Sequence, residues 1–222
     1  MLSYYGHCAF LWTSPAGVRV LIDPFGNSDQ SRWFLDAFPP VEADVVLVTH
    51  DHFDHNADHV IPGKPTLIRG PGRFQLKDVK ITGVLDLHSG RSGLRGMMNT
   101  IFVVELEGVR YAHTGDNRHD APDAVRRAIG RVDVLMLTVD DSNHLLTSEQ
   151  VDSLTALLDP SVVVPMHYYI EGLTTVESTL KAPDGWLSSQ PGVRRLQNPT
   201  LSLRTDDIPE EREVWVFPPL LP

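Results

Sequence analysis

The stretch VVLVTHDHFDHN, Val45 to Asn56, begins as five strand-like residues. It then places three histidines and two aspartates in the six positions from His50 to His55. Neutral imidazole and carboxylate are ligands that divalent Zn, Mn, Fe and Co accept. Two residues apart on an extended segment, His50 and His52 point to the same side and can reach one ion. Asp54 and His55 sit about a turn further on and can face a second ion. The alternative is a solvated polar loop. Such a cluster at the mouth of a core strand gains little from crowding together without a cation.

A rigid framework has to present these groups. The segment ADVVLVTH is a continuous apolar run and reads as a buried strand. Two further apolar strands end in polar clusters: Val132–Thr138 runs toward Asp140 and Asp141, and Val162–Met166 toward His167. Strands that feed a common rim are the usual way an α/β protein assembles a site. Leu2–Trp12 and Val18–Ile22 are strand-like and joined by the turn signal TSPAG, and a polar, aromatic-containing loop spans Phe25 to Pro40. Shorter strands are expected at Thr66–Arg69, Arg73–Leu76 and Val79–Leu87. Thr100–Leu106 and Val109–His113 read as a hairpin closed by Glu107 and Gly108.

Two helices carry clear punctuation. In DAPDAVRRAIG, Asp120 is the expected N-cap, Pro122 falls in the first turn and Gly130 follows the end. In TSEQVDSLTALLDP, Thr147 and Gln150 fit a capping box, and Val151, Leu154, Leu157 and Leu158 share one face. A further helix is expected over Thr174–Lys181. The tail from Gly192 to Phe217 reads as short strands, with DDIPEERE as a solvated turn. The pattern is α/β: two mixed sheets with helices outside, in one domain over residues 1–222.

Composition narrows the function. Hydrophobic residues make up 41% and charged residues 22%, as in ordinary globular proteins. The formal net charge is −10, and no Lys/Arg run offsets it, so nucleic acid is not an expected partner. Cys8 is the only cysteine, which rules out a disulfide within the chain and suits a reducing compartment. No apolar run approaches the roughly 18 residues of a membrane span, and the start lacks the marks of a signal peptide. A cytoplasmic soluble protein, with a homo-oligomer as one option, is expected.

The HxHxDH stretch resembles the metal-binding signature of the metallo-β-lactamase superfamily. YYGHCAFLW and VLIDPF are similar to the opening of its ascorbate-6-phosphate lactonase-like branch. LDLHSG, HTGDN and VVVPMHY then follow in the family's order. The resemblance implies a four-layer αββα sandwich (the metallo-β-lactamase fold) and a dinuclear metal-dependent hydrolase. His50, His52 and His88 would hold one metal ion and Asp54, His55 and His167 the other, with Asp116 bridging. The two divalent ions, Zn with Mn or Fe as alternatives, would activate water for attack on a lactone, amide or phosphate ester. Asp54 and Asp116 would orient the nucleophile, and Asp54 would carry its proton afterwards.

The same resemblance places Asp23 beneath the metals, where it would fix an imidazole; a turn aspartate before Pro24 is the alternative. His7 is either a contact to substrate or leaving group, or a packed strand histidine. His113 is expected behind the ligands, His144 as a substrate contact or loop residue, and His59 and His119 at the surface. Arg91 and Arg95 could anchor a phosphate or carboxylate of a small, anionic substrate, or belong to a flexible loop. Three other classes are weighed. A phosphodiesterase or RNA-processing nuclease is disfavoured by the acidic balance. A di-iron oxidoreductase would carry glutamate where His52 stands. A member that had lost its metals would have eroded ligands, yet all are present.

Overall fold

The computed structural model describes residues 1–220. Among these described residues fourteen strands run in chain order: β1 (Leu2–Gly6), β2 (Ala9–Thr13), β3 (Arg19–Ile22), β4 (Val45–Leu47), β5 (Thr66–Ile68), β6 (Gly72–Leu76), β7 (Val79–Leu87), β8 (Met98–Leu106), β9 (Val109–His113), β10 (Val134–Thr138), β11 (Val162–Met166), β12 (Val193–Arg195), β13 (Thr200–Leu201) and β14 (Glu213–Val216). The helices are α1 (Gly90–Leu94), α2 (Asp123–Ile129), α3 (Ser148–Leu158) and α4 (Asp184–Ser189). One sheet has the order β13-β1-β2-β3-β4-β5, the other β12-β14-β11-β10-β9-β8-β7-β6.

Both sheets are mixed in the same way. β1, β2 and β3 form an antiparallel meander that β4 and β5 extend in parallel; β7, β8 and β9 do likewise before β10 and β11. Only the returning strands β2 and β8 run the other way between these neighbours. The carboxyl ends of β1, β3 and β4 therefore share one edge of their sheet, and those of β7, β9, β10 and β11 share one edge of theirs. Ligand sites in α/β sheets form at such carboxyl edges.

The core lies between the sheets. Tyr4 stacks on Phe10 and meets Phe217 edge-on from the opposite sheet, and Trp12 meets Tyr111. A second apolar cluster joins the outer face of the larger sheet to Ile129 of α2, to Val151, Leu154 and Leu158 of α3, and to Trp186 and Leu187 of α4. Tyr5 points away from the inter-sheet core, as alternation requires. It packs on Phe38 of the Phe25–Pro40 loop, which covers that side of the smaller sheet.

Most expected elements are present, with five corrections, the first being that the Gly-rich stretch around Arg91 forms the short helix α1. The Leu2–Trp12 run is two strands, because the chain reverses at His7 and Cys8. The turn is itself buried, so hydrophobicity runs through it unbroken. Its one signal is Gly6, with φ 98°, where a Cβ would lie 2.2 Å from Leu173 Cδ2. The N-cap of α2 is Pro122, not Asp120, whose carboxylate stands 3.9 Å from Arg118. Thr174–Lys181 holds only a 3-10 turn, Val176–Ser178: the Thr174 hydroxyl binds back to Ile170, and Thr179 adopts φ 60°. The unexpected α4 is capped from afar, with the Asp141 carboxylate accepting from the backbone N–H groups of Gly185 and Trp186. The Thr147–Gln150 capping box of α3 forms as expected. Among the described residues, no helix is long and apolar enough to cross a membrane.

Candidate metal centre

β4 is buried on both faces between parallel neighbours, and the chain leaves it through Val48 and Thr49. His50 to His55 then bend over the carboxyl edge, closed by a His55 N–H to His52 carbonyl bond of 3.0 Å. β7 delivers His88, the turn after β9 delivers Asp116, and His167 follows β11 directly. The three His and Asp groups from later strand ends thus meet the first stretch across the two sheets.

Two donor sets result. In one, His50 Nε2 lies 3.1 Å from His52 Nδ1 and 3.5 Å from Asp116 Oδ2, which is 3.3 Å from His88 Nε2. In the other, Asp54 Oδ2 lies 3.0 Å from His7 Nε2, 3.4 Å from His55 Nε2 and 3.3 Å from His167 Nε2. Asp116 serves both: its Oδ1 is 3.3 Å from His55 Nε2, and its Oδ2 is 3.6 Å from His167 Nε2.

These donors fit a metal. Nε2 of His55, His88 and His167 and Oδ1 of Asp116 are buried and lack hydrogen-bond partners, despite their close approach to one another. A tetrahedral ion with bonds of about 2.1 Å holds its ligand atoms about 3.4 Å apart, close to the spacings seen. Uncompensated burial of so many polar atoms is costly, and a shared cation removes that cost.

A supporting layer sets the tautomers. His55 Nδ1–H donates to Asp23 Oδ2 at 2.8 Å, which leaves the Nε2 lone pair facing inward. Asp23 also accepts from the Thr49 backbone N–H at 2.8 Å and from the Thr49 hydroxyl at 2.7 Å. With its own proton so committed, the Thr49 oxygen accepts from His50 Nδ1–H at 2.9 Å. His88 Nδ1–H donates to the Ser89 carbonyl at 2.6 Å. Three imidazoles are therefore held with bare Nε2 atoms toward the centre, as metal ligation requires.

Electrostatics follow from burial among these charges. Burial, and then neighbouring His55, push the His50 imidazole down to about 3; burial and then His167 push His7 down to about 4. Burial also acts against the charged forms of Asp54 and Asp116, but the imidazoles around them, His55 first, hold both carboxyls well below their usual range. His55 moves the other way: burial opposes its charge, yet Asp116 and Asp54 raise it well above an ordinary imidazole.

A cleft of about 450 Å³ opens onto the centre. Trp33, Phe53 and Leu145 form an apolar part of its wall, with His144 and Arg91 also on the lining. Trp33 meets Phe53 and His144 edge-on, and the His144 ring stacks on His167 at 5.9 Å between centroids.

The expected site residues sort clearly. His50, His52, Asp54, His55, His88, Asp116 and His167 converge, with Asp23 beneath them and His7 beside Asp54. His113 stands behind: its Nε2–H donates to the Cys8 carbonyl at 2.9 Å and its Nδ1 accepts from Gly115 N–H, so neither nitrogen is free. Arg91 and Arg95 part company, since Arg91 lies within the short helix α1 and lines the cleft, whereas Arg95 caps its end and does not. His59 is exposed and His119 half-buried. Sequence reasoning missed Thr49, whose only signal was its place between the apolar run and His50. It also missed Trp33 and Phe53 as individual wall residues.

A model of the beta-lactamase superfamily domain matches residues 1–167. The chain belongs to the metallo-β-lactamase superfamily. Within it, the relatives are metal-dependent hydrolases of the UPF0173 family. The one from Thermococcus onnurineus is 29% identical over 192 residues, 74% of this chain and 83% of the relative. The one from Rubrobacter xylanophilus is 29% identical over 200 residues, 75% and 81% of the two chains. A crystal structure from Thermotoga maritima, described as a Zn-dependent hydrolase of the metallo-β-lactamase superfamily, superposes with a TM-score of 0.76 at 30% identity, covering 97% of each chain. The metallo hydrolase Igni18 from Ignicoccus hospitalis shares the fold at a TM-score of 0.58 and 24% identity, over 83% of this chain and 87% of its own.

Proposed function

We propose that the protein is a dinuclear metal-dependent hydrolase of a small molecule. The observation that carries this reading is the Asp116 carboxylate, which lies within 3.6 Å of the buried, unpartnered Nε2 atoms of His88 in one donor set and of His55 and His167 in the other. His50, His52 and His88 would hold one divalent ion, Asp54, His55 and His167 the other, and Asp116 both. When bound, such a pair lowers the pKa of water and polarises the scissile group. The nitrogen-rich donors suit Zn and are also accepted by Mn and Fe.

The chain's own residues do the rest. Asp23, Thr49 and the Ser89 carbonyl keep the ligand tautomers fixed. Asp54, on the cleft lining, would take up the proton of the attacking water and return it to the leaving group. Trp33, Phe53 and Leu145 pack against the apolar part of the substrate and exclude water, and Arg91 accepts a carboxylate or phosphate at the rim. A lactone, amide or phosphate ester of modest size fits this arrangement, and the likeness to the ascorbate-6-phosphate lactonase-like branch favours the lactone. An RNA-processing nuclease is disfavoured: among the described residues Arg91 is the one Lys or Arg on the cleft lining, and the chain carries a net charge of −10.

Metal analysis combined with a panel of lactones, amides and phosphodiesters tests the assignment. Two ions per chain and chelator-sensitive hydrolysis of one small-molecule class are expected. Hydrolysis that persists after complete metal removal would overturn it.

A further inference from the structure

His7 lies outside the ligands supplied by the HxHxDH signature and by the later strand ends, yet it completes the second donor set. It occupies the buried turn between β1 and β2, with its side chain fully enclosed. Its Nε2 is 3.0 Å from Asp54 Oδ2, the same oxygen that His55 and His167 approach. Its ring centroid lies 4.2 Å from that of His167 and 5.4 Å from that of His55. One donor atom from each of His7, Asp54, His55 and His167 falls within 4.8 Å of all the others, the compactness that a single ion demands.

The surroundings single this residue out. His7 Nδ1 has no hydrogen-bond partner, so no protein group on that side explains why an imidazole is buried there. The backbone adopts φ 52°, a conformation that is strained for a non-glycine residue, and the same holds for His167 at 62°. Such strain persists where the surrounding structure needs the side chain in one place. The preceding Gly6 makes the turn possible, and the turn delivers the ring to the centre.

We propose that His7 is a protein ligand of the second metal ion, through Nε2, beside Asp54, His55 and His167. The assignment rests on the dinuclear reading above and adds to it a ligand from the first hairpin of the smaller sheet. The rival role is a hydrogen bond from His7 Nε2–H to Asp54 with no metal contact. A glutamine can reproduce that donor but not the imidazole ligand. Glycine suits the turn's backbone and removes the side chain altogether.

Wild type, His7→Gln and His7→Gly are to be stripped and titrated with Co²⁺ and with Zn²⁺, following ion stoichiometry, affinity and the visible Co²⁺ spectrum. The expected result is two ions in wild type. Both variants should keep the first ion, bind the second at least about tenfold more weakly, and show an altered spectrum for that ion. A His7→Gln protein with two ions, wild-type affinity and an unchanged spectrum would overturn the His7 assignment alone. Wild type that never takes up a second ion would overturn this assignment and the dinuclear reading together.

Discussion

Asp23 Oδ2 accepts a hydrogen bond of 2.8 Å from His55 Nδ1, and neither side chain is exposed. The pair fixes which nitrogen of His55 carries the proton, and hence which one faces the centre. In Asp23→Asn the side-chain amide can turn its NH₂ toward Nδ1 and drive the proton to Nε2. Metal affinity is expected to fall about 10- to 100-fold, as for other outer partners of ligating histidines. Equilibrium dialysis against zinc with a competing chelator measures it, and unchanged affinity would refute the tautomer argument.

Thr49 makes three contacts from one residue: its backbone N–H and hydroxyl to Asp23, and its oxygen to His50. Thr49→Val keeps the shape and removes the hydroxyl, leaving buried partners unsatisfied. A loss of about 1–3 kcal/mol in stability is expected, read by denaturant unfolding, together with weaker metal binding.

Gly115 precedes Asp116 and adopts φ 52°, and a Cβ there would lie 2.6 Å from Asn99 Oδ1 and 2.7 Å from Thr49 Oγ1. Gly115→Ala must therefore shift the turn that carries Asp116. Destabilisation of about 2–4 kcal/mol is expected from strain and crowding together. Unfolding curves report the first effect, and metal stoichiometry reports displacement of the carboxylate.

The metal-free protein should weaken in acid. His7 is pushed down to about 4 and His50 to about 3, mainly by burial, so both stay neutral in the fold below pH 6.5 while the unfolded chain takes up their protons. Their contribution is present above pH 6.5 and is lost as pH falls toward 4. Each group removes about 1.4 kcal/mol per pH unit across that window. His55 is raised, and its contribution is already complete below pH 6.5, so it does not offset the slope. Melting temperatures in chelator from pH 7 to 4 check this; a flat profile would contradict it.

Arg91 and Arg95 separate the roles of two similar side chains. Arg91→Ala should raise KM for anionic substrates several-fold with little change for neutral ones, whereas Arg95→Ala should leave both unaltered. Equal effects of the two changes in steady-state kinetics would remove Arg91 from the substrate site.

Much of this centre was legible in the chain. Ligand type and spacing in His50–His55 are local properties, and an apolar run such as Val45–Val48 must end where the core ends, so a strand delivering donors to a rim could be read directly. The capping box at Thr147 and Gln150 is equally local. What the sequence could not express was what is not local. The reversal at His7 is buried, so its apolar neighbours read as one strand, and a packed strand histidine cannot be told from a member of the donor cluster by sequence. The helix at Asp184–Ser189 depends on a cap from Asp141, far away in the chain. The returns β2 and β8 point the strands on either side of them the same way, and the packing of the two sheets through their common core brings the carboxyl edges together. That meeting places Asp116 between the two halves. Residue chemistry determined which groups could hold a metal; the packing of two sheets determined how close they stand and which nitrogen each one offers.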